Sequence, residues 1–204
     1  MNAGESEERF PPEFSHKITN SSDRVVQILS EGGVAIIPAE TILGLSCDAH
    51  NEQAIHKIMR IKKRSGKQGF IILVTSESMA KWYSAEFDPH LYSKIKANFW
   101  GEPITIIWQK GTNVPPSILG DDGSIAIRIV DKPHLCEIIN KFGKAIVSTS
   151  VNFTGEKPAT SIDTVPYEIL KEVDVIYYRA NIQMTGKPSR IIKVIGERDY
   201  EIIR

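Results

Sequence analysis

Five short apolar runs constrain most tightly what this chain can fold into: Val34 to Ile37, Phe70 to Val74, Ile104 to Trp108, Ile125 to Val130 and Ala145 to Val147. Each is short and, in the main, rich in β-branched residues, and reads as a strand buried in a sheet. The segments between them keep helical spacing instead. Ser22-Asp23 can cap a short helix carrying Val25, Val26, Ile28 and Leu29, which Gly32-Gly33 ends. Asn51 with Glu52 can open a second, where Ala54, Ile55, Ile58, Met59 and Ile61 form one apolar face. Helical stretches follow around 76–82 and 88–99, and Pro133 suits the first turn of a helix running to Phe142. A helix near 165–171 and strands near 173–178, 190–195 and 200–203 complete the pattern. Strands alternating with helices predict an α/β fold on a twisted sheet. Residues 1–20, polar and carrying Pro11 and Pro12, are expected to form a flexible N-terminal arm, and 21–204 a single domain.

The chain has 204 residues, 41% hydrophobic and 25% charged, a balance that disfavours disorder, collagen and coiled coil. Lys and Arg number 25, as do Asp and Glu, so the net charge is zero. That argues against holding nucleic acid by bulk positive charge, while leaving room for a local basic site. Cys47 and Cys136 are too few for a disulfide framework or a zinc site. The opening MNAGESEERFPP has no apolar stretch, and no run is long enough to span a bilayer. The expectation is a soluble cytoplasmic protein.

The densest local chemistry lies between Lys57 and Lys67: Lys57, Arg60, Lys62, Lys63, Arg64 and Lys67, with no acid among them. Two readings are open, a solvated basic helix end or a grip on a polyphosphate. If the helix continues, Lys62 and Arg64 point to different sides; if it frays, both can converge on one anion. No GxxxxGK[ST] element is present, so this is not a P-loop. Ser148-Thr149-Ser150-Val151-Asn152 sits where the buried run 145–147 emerges, either as hydrogen-bonding groups for a ligand or as a capped turn. Pro38 to Leu45 again follows a strand, and offers the Thr41 hydroxyl and the bare Gly44 backbone. Arg128 stands inside an apolar strand, sharing a face with Ala126 and Val130, and needs an anionic partner. A structural acid or a ligand carboxylate would serve. The histidines His16, His50, His56, His90 and His134 show no metal-ligand spacing, and no nucleophile–base pair stands out. The groups on offer suit charge stabilisation and positioning, as in phosphoryl and nucleotidyl transfer.

In this order, the segments resemble the YrdC-like family, which includes the TsaC-type threonylcarbamoyladenylate synthases. The family's P-T-[DE]-T-x-Y-G-L is matched by Pro38 to Leu45, its K-x-R by Lys62-Lys63-Arg64, and its F-W-P-G-P-x-T by Phe99 to Thr105. Its V-A-x-R-x-P-x-H-P is matched by Ile125 to Pro133, its S-T-S-A-N-x-S-G by Ser148 to Gly155, and its P-S-T-[IV] by Pro188 to Ile191. The resemblance implies a twisted mixed sheet flanked by helices, with a large concave, positively lined surface. It implies a short-form enzyme that makes threonylcarbamoyl-AMP and pyrophosphate from L-threonine, bicarbonate and ATP, with Mg2+ carried by the ATP and no metal site of its own. Separate transferase partner proteins would then modify tRNA. Lys62, Arg64, Ser150 and Asn152 would contact the nucleotide, with Ser124 and Ser189 as further contacts. Thr41, Arg128 and Ser148 would hold threonine, Arg128 pairing its carboxylate. Ala39, Leu43, Ser65, Lys67, Gln68 and Arg190 depart from the family pattern. Two other readings are a double-stranded RNA-binding module, allowing direct tRNA contact, and a YciO-like paralogue acting on another carbamoyl or nucleotide substrate.

Overall fold

The computed structural model describes residues 11–64, 69–196 and 199–204. In chain order the elements are β1 (Ile18–Thr19), α1 (Ser22–Ser30), β2 (Ala35–Pro38), β3 (Leu43–Asp48), α2 (Glu52–Ile61), β4 (Ile71–Val74), α3 (Glu77–Tyr83) and α4 (Pro89–Asn98). There follow β5 (Ile104–Trp108), β6 (Ile125–Ile129), α5 (Pro133–Phe142), β7 (Ile146–Ser150), α6 (Tyr167–Glu172), β8 (Val175–Tyr177), β9 (Arg190–Ile195) and β10 (Asp199–Ile202). All the strands belong to one mixed sheet in the order β1-β8-β2-β3-β7-β4-β6-β5-β9-β10. The five apolar runs are all strands of it.

Alternation along the strands divides the core in two. Val34, Ile36, Leu45, Ile72, Val74, Ile127 and Val147 pack with the buried faces of α2, α3, α4 and α6. Ala35, Ile37, Leu73, Ile146 and Val175 pack instead with Val25, Ile28 and Leu29 of α1 and Leu135, Ile138 and Ile139 of α5. Helices therefore flank both faces. Ser21, Asn51, Ser76 and Asp88 cap α1, α2, α3 and α4, each accepting a hydrogen bond from a first-turn amide.

Two expectations need correction. The described part of residues 1–20 is packed rather than a loose arm. Pro12–Lys17 forms a 3-10 turn that buries Phe14, β1 pairs with β8, and Lys17 Nζ donates to the carbonyls of Leu170, Lys171 and Val173. Residues 1–10 lie outside the described residues. The second concerns the segment after Pro38, where no strand was expected. Leu43–Asp48 is a strand antiparallel to both β2 and β7, and all six of its residues are buried. Its Gly, Ser and Asp broke the apolar pattern, yet they pack between neighbouring strands.

Candidate active site

The end of α2 decides how the basic run is used. Lys63 takes a left-handed φ of 51°, the Lys63 amide donates to Arg60 O, and the Arg64 amide donates to Met59 O. This is a Schellman ending, and it turns the chain sharply after Lys62. The helix ends rather than continuing, and Lys62 and Arg64 both line one cleft. Among its described members Lys62 is buried and Lys57 and Arg64 are half-buried, while Arg60 and Lys63 are exposed. Lys57 pairs with Asp174 at 2.6 Å, and Lys63 lies over the Phe153 ring, 4.3 Å from its centroid. The expectations that rested on Ser65, Gly66, Lys67 and Gln68 lie outside the described residues.

Lys62 is buried, and among the described residues no acid forms an ion pair with it. Its Nζ donates to Ser150 O, to Asn152 O at 3.0 Å, to Asn152 Oδ1 at 2.9 Å and, at 3.4 Å, to Ser150 Oγ. Thr154 ties the same junction together: its amide and hydroxyl both donate to Lys62 O. Burial, and after it the nearby Arg64 charge, pushes the Lys62 ammonium down to about 8. Arg64 is also lowered by burial. Its guanidinium donates to Gly69 O at 3.2 Å and stacks 4.3 Å from the Phe70 ring centroid. Ser150 in turn donates to Asn152 Oδ1, and Asn152 Nδ2 donates to Glu156 O at 2.7 Å. A lysine, an arginine, a serine and an asparagine from two separate segments thus meet at one end of the sheet.

The same cleft encloses about 520 Å³. Thr41, Lys62, Arg64, Ser124, Arg128, Ser148, Ser150, Asn152 and Ser189, the nine substrate contacts that the family resemblance implies, line it. Its floor is the face of the sheet that α1 and α5 leave partly uncovered. Gly44, Ser148, Ile71, Ala126 and Ile107 meet there across adjacent strands. Gly44 matters for a specific reason: a Cβ at that position would stand 2.6 Å from Ser148 Oγ. The bare backbone makes room for the hydroxyl.

Arg128 is paired within the chain. Of the two counter-ions left open by its strand position, the structure supplies the acid Glu40, which bonds Arg128 Nη2, while Arg128 Nη1 lies 3.4 Å from Thr41 Oγ1. Burial lowers the Arg128 pKa and Glu40 opposes the shift. Glu40 and Thr41 sit on the tip between β2 and β3, where Ala39 N donates to Ile42 O. Ser189 is less available than the motif suggested, because its hydroxyl is hydrogen-bonded to buried Thr105 Oγ1 at 2.8 Å. Ser124 is held by its amide to Asp122, whose carboxyl stays well below the usual range through hydrogen bonds from Ser124 and Lys193.

Residues 27–204 match the Sua5/YciO/YrdC family model, described as "Telomere recombination". The chain belongs to the Sua5/YciO/YrdC family. Among its relatives, the threonylcarbamoyl-AMP synthase of Aliivibrio fischeri is 32% identical over 171 residues, 83% of this chain and 91% of that one. The enzyme of the same name from Saccharophagus degradans is 35% identical over 136 residues, 67% and 71% of the two chains. In solved structures, a Sua5 from P. abyssi superposes with a TM-score of 0.80 at 23% identity, covering 90% of this chain and 55% of the Sua5 chain. This chain therefore spans about half of that Sua5 chain. E. coli YciO superposes with a TM-score of 0.73 at 24% identity, covering 90% of this chain and 87% of the other.

One cation of the described lining was missed from the sequence. Arg204 lines it beside Ser189, with Nη2 donating to Ser189 O and its backbone paired with Ile191. No motif surrounds Arg204. Only the hairpin of β9 and β10 brings it back, so residue spacing carried no signal of it. With Lys62, Arg64 and Arg128 it makes four cations among the described lining, which holds no Asp or Glu side chain. Among the described residues no cluster of His, Cys, Asp and Glu could hold a metal, and no helix is long and apolar enough to cross a membrane. Sequence reasoning found no triad of acid, base and nucleophile. Asp48, His50 and Tyr83 do meet, but at the end of β3 away from Gly44, and the Tyr83 hydroxyl is buried, accepting from Ala145 N.

Proposed function

We propose that the protein is an L-threonylcarbamoyladenylate synthase, joining L-threonine, bicarbonate and ATP into threonylcarbamoyl-AMP with release of pyrophosphate, for threonylcarbamoyladenosine modification of tRNA. The observation that carries this reading is the convergence of all nine selected residues on one cationic cleft whose described lining holds no Asp or Glu. It is supported by relatives 32% and 35% identical that bear the name threonylcarbamoyl-AMP synthase, and by a fold shared with a P. abyssi Sua5 solved with L-threonine, at a TM-score of 0.75 and 21% identity.

The reaction needs little covalent help from the protein. The threonine amine captures carbon dioxide with loss of a proton, or bicarbonate with loss of water, to give a carbamate. A carbamate oxygen attacks the α-phosphorus of ATP, and the bond to the β-phosphate oxygen breaks as pyrophosphate leaves. Lys62 and Arg64 neutralise charge on the phosphates, Ser150 and Asn152 hold Lys62 and the nucleotide, and Ser124 and Ser189 border the same pocket. Arg128 pairs the threonine carboxylate while Thr41 and Ser148 supply hydroxyls. Without a carboxylate in its described lining, the cleft does not fit a protein-held magnesium; the ion's ligands would be phosphate oxygens and water. Transfer of the product to tRNA falls to separate partner proteins in a cytoplasmic setting.

Lys62→Ala and Arg64→Ala should each lower turnover by about a hundredfold or more while the far-UV spectrum and melting temperature stay near wild type. Unchanged turnover in either would remove that side chain from the nucleotide site. The second reading is a YciO-like paralogue acting on another carbamoyl or nucleotide substrate, with which the chain shares only the fold of E. coli YciO. The two part on one point, because only the synthase requires threonine.

A further inference from the structure

Arg128 has a neighbour on its far side that none of the substrate contacts uses. Glu40 lies outside the cleft lining, yet its two carboxylate oxygens bridge Arg128 Nη2 and Lys132 Nζ, the latter at 3.1 Å. Its side chain is 14% exposed and that of Arg128 is 5% exposed, so this is a partly desolvated contact and not a surface pair. Glu40 adopts φ 65°, a left-handed conformation that residues with a Cβ seldom take. Neighbouring backbone holds it there: Thr185 N donates to Glu40 O at 2.9 Å and Gly186 N donates to Thr41 O at 2.8 Å. The chain thus maintains an uncommon backbone geometry that brings this carboxylate against Arg128.

Two consequences follow from charge and shape. A guanidinium on a flexible side chain can aim its fork in many directions, and one carboxylate bonded to Nη2 with one hydroxyl beside Nη1 restricts that freedom. Asp131, 75% exposed and 3.8 Å from Lys132 Nζ, balances Lys132 from the solvent side, which leaves Glu40 as the acid in contact with Arg128. Without Glu40, buried Arg128 would lose the acid in contact with it, whereas Lys132, 43% exposed, would keep water and Asp131 at 3.8 Å. We infer that Glu40 is a positioning residue of the amino-acid subsite: bridging Arg128 and Lys132 from outside the cleft, it holds the Arg128 guanidinium toward the α-carboxylate of the incoming amino acid. The inference rests on the synthase reading above.

The test is steady-state turnover of the full chain with threonine and ATP varied separately, for wild type, Glu40→Gln and Glu40→Asp. Glu40→Gln should raise KM for threonine about tenfold, with KM for ATP and kcat at saturating threonine within about twofold of wild type. It should also narrow the preference for threonine over threonine amide, whose neutral carboxamide gains less from a well-aimed Arg128. A merely structural role would weaken both substrates together and leave that preference intact. Either that result or an unchanged threonine KM overturns the inference. Should Glu40→Gln fail to fold, Glu40→Asp decides: it keeps the charge but withdraws it by one methylene, and must raise the threonine KM alone. Wild-type protein that shows no threonine-dependent turnover overturns the synthase reading itself. Wild-type turnover with an indifferent Glu40→Gln overturns only the role given to Glu40.

Discussion

Lys62 carries a positive charge into a place where none of the described ion pairs includes it. Four oxygen acceptors from Ser150 and Asn152 partly offset the lost hydration, but burial and Arg64 still bring its proton within reach of ordinary buffers, at about 8. The sign is definite. Below that pH the ammonium is intact and attracts phosphate; above it the ligand-free protein loses the charge, and an incoming triphosphate must restore it by taking up a proton. The Kd of a non-hydrolysable ATP analogue should therefore rise about fivefold between about pH 8 and about pH 9, where the triphosphate is already fully ionised. Lys62→Met should bind weakly with no such slope. A wild-type Kd that stays flat over that interval would contradict the proposed role of Lys62. Arg128 poses the opposite case, a buried cation whose structural acid stands beside it, so its charge should persist throughout that range.

At the scale of elements, the cleft depends on how strands β2, β3 and β7 are brought together. Gly33, just before β2, is wedged against α1: a Cβ there would lie 2.5 Å from Ile28 Cγ2 and 2.9 Å from Ile28 O. The backbone oxygen cannot rotate away. Gly33→Ala should cost about 1–3 kcal/mol in urea unfolding, and an unchanged midpoint would mean that α1 shifts freely. Gly44 is the contrasting case, because the atom in the way is the Ser148 hydroxyl, which can rotate. Gly44→Ala should leave the melting temperature within about 4 °C of wild type yet raise the threonine KM several-fold. A proportionate loss of both would show that Ser148 is only packing. These same elements show what was legible beforehand. The runs at 34–37, 70–74 and 145–147 are uniformly apolar and read at once as strands. Leu43–Asp48 was missed because Gly44, Ser46 and Asp48 interrupt it, although its neighbours cover both faces. The convergence of Lys62 with Arg64 rests on a left-handed Lys63, which propensity does not announce. Arg204 reaches the cleft only through long-range pairing of β9 with β10.

For the whole molecule, the net charge of zero conceals an uneven distribution. Four cations face the cleft without a carboxylate in its described lining, while acids such as Asp48, Glu137 and Asp174 are engaged in ion pairs outside that lining. A single mixed sheet makes this possible, because its central strands end together and deliver short polar side chains to one place while helices flank both faces. The fold by itself does not select the reaction, since E. coli YciO shares it. The most direct measurement incubates the purified protein with ATP and bicarbonate, with and without L-threonine, and follows pyrophosphate together with the mass of the nucleotide product. The account predicts pyrophosphate release that requires threonine and matches the threonylcarbamoyl adenylate formed mole for mole. Release that is indifferent to threonine, or none at all from the folded protein, would contradict it.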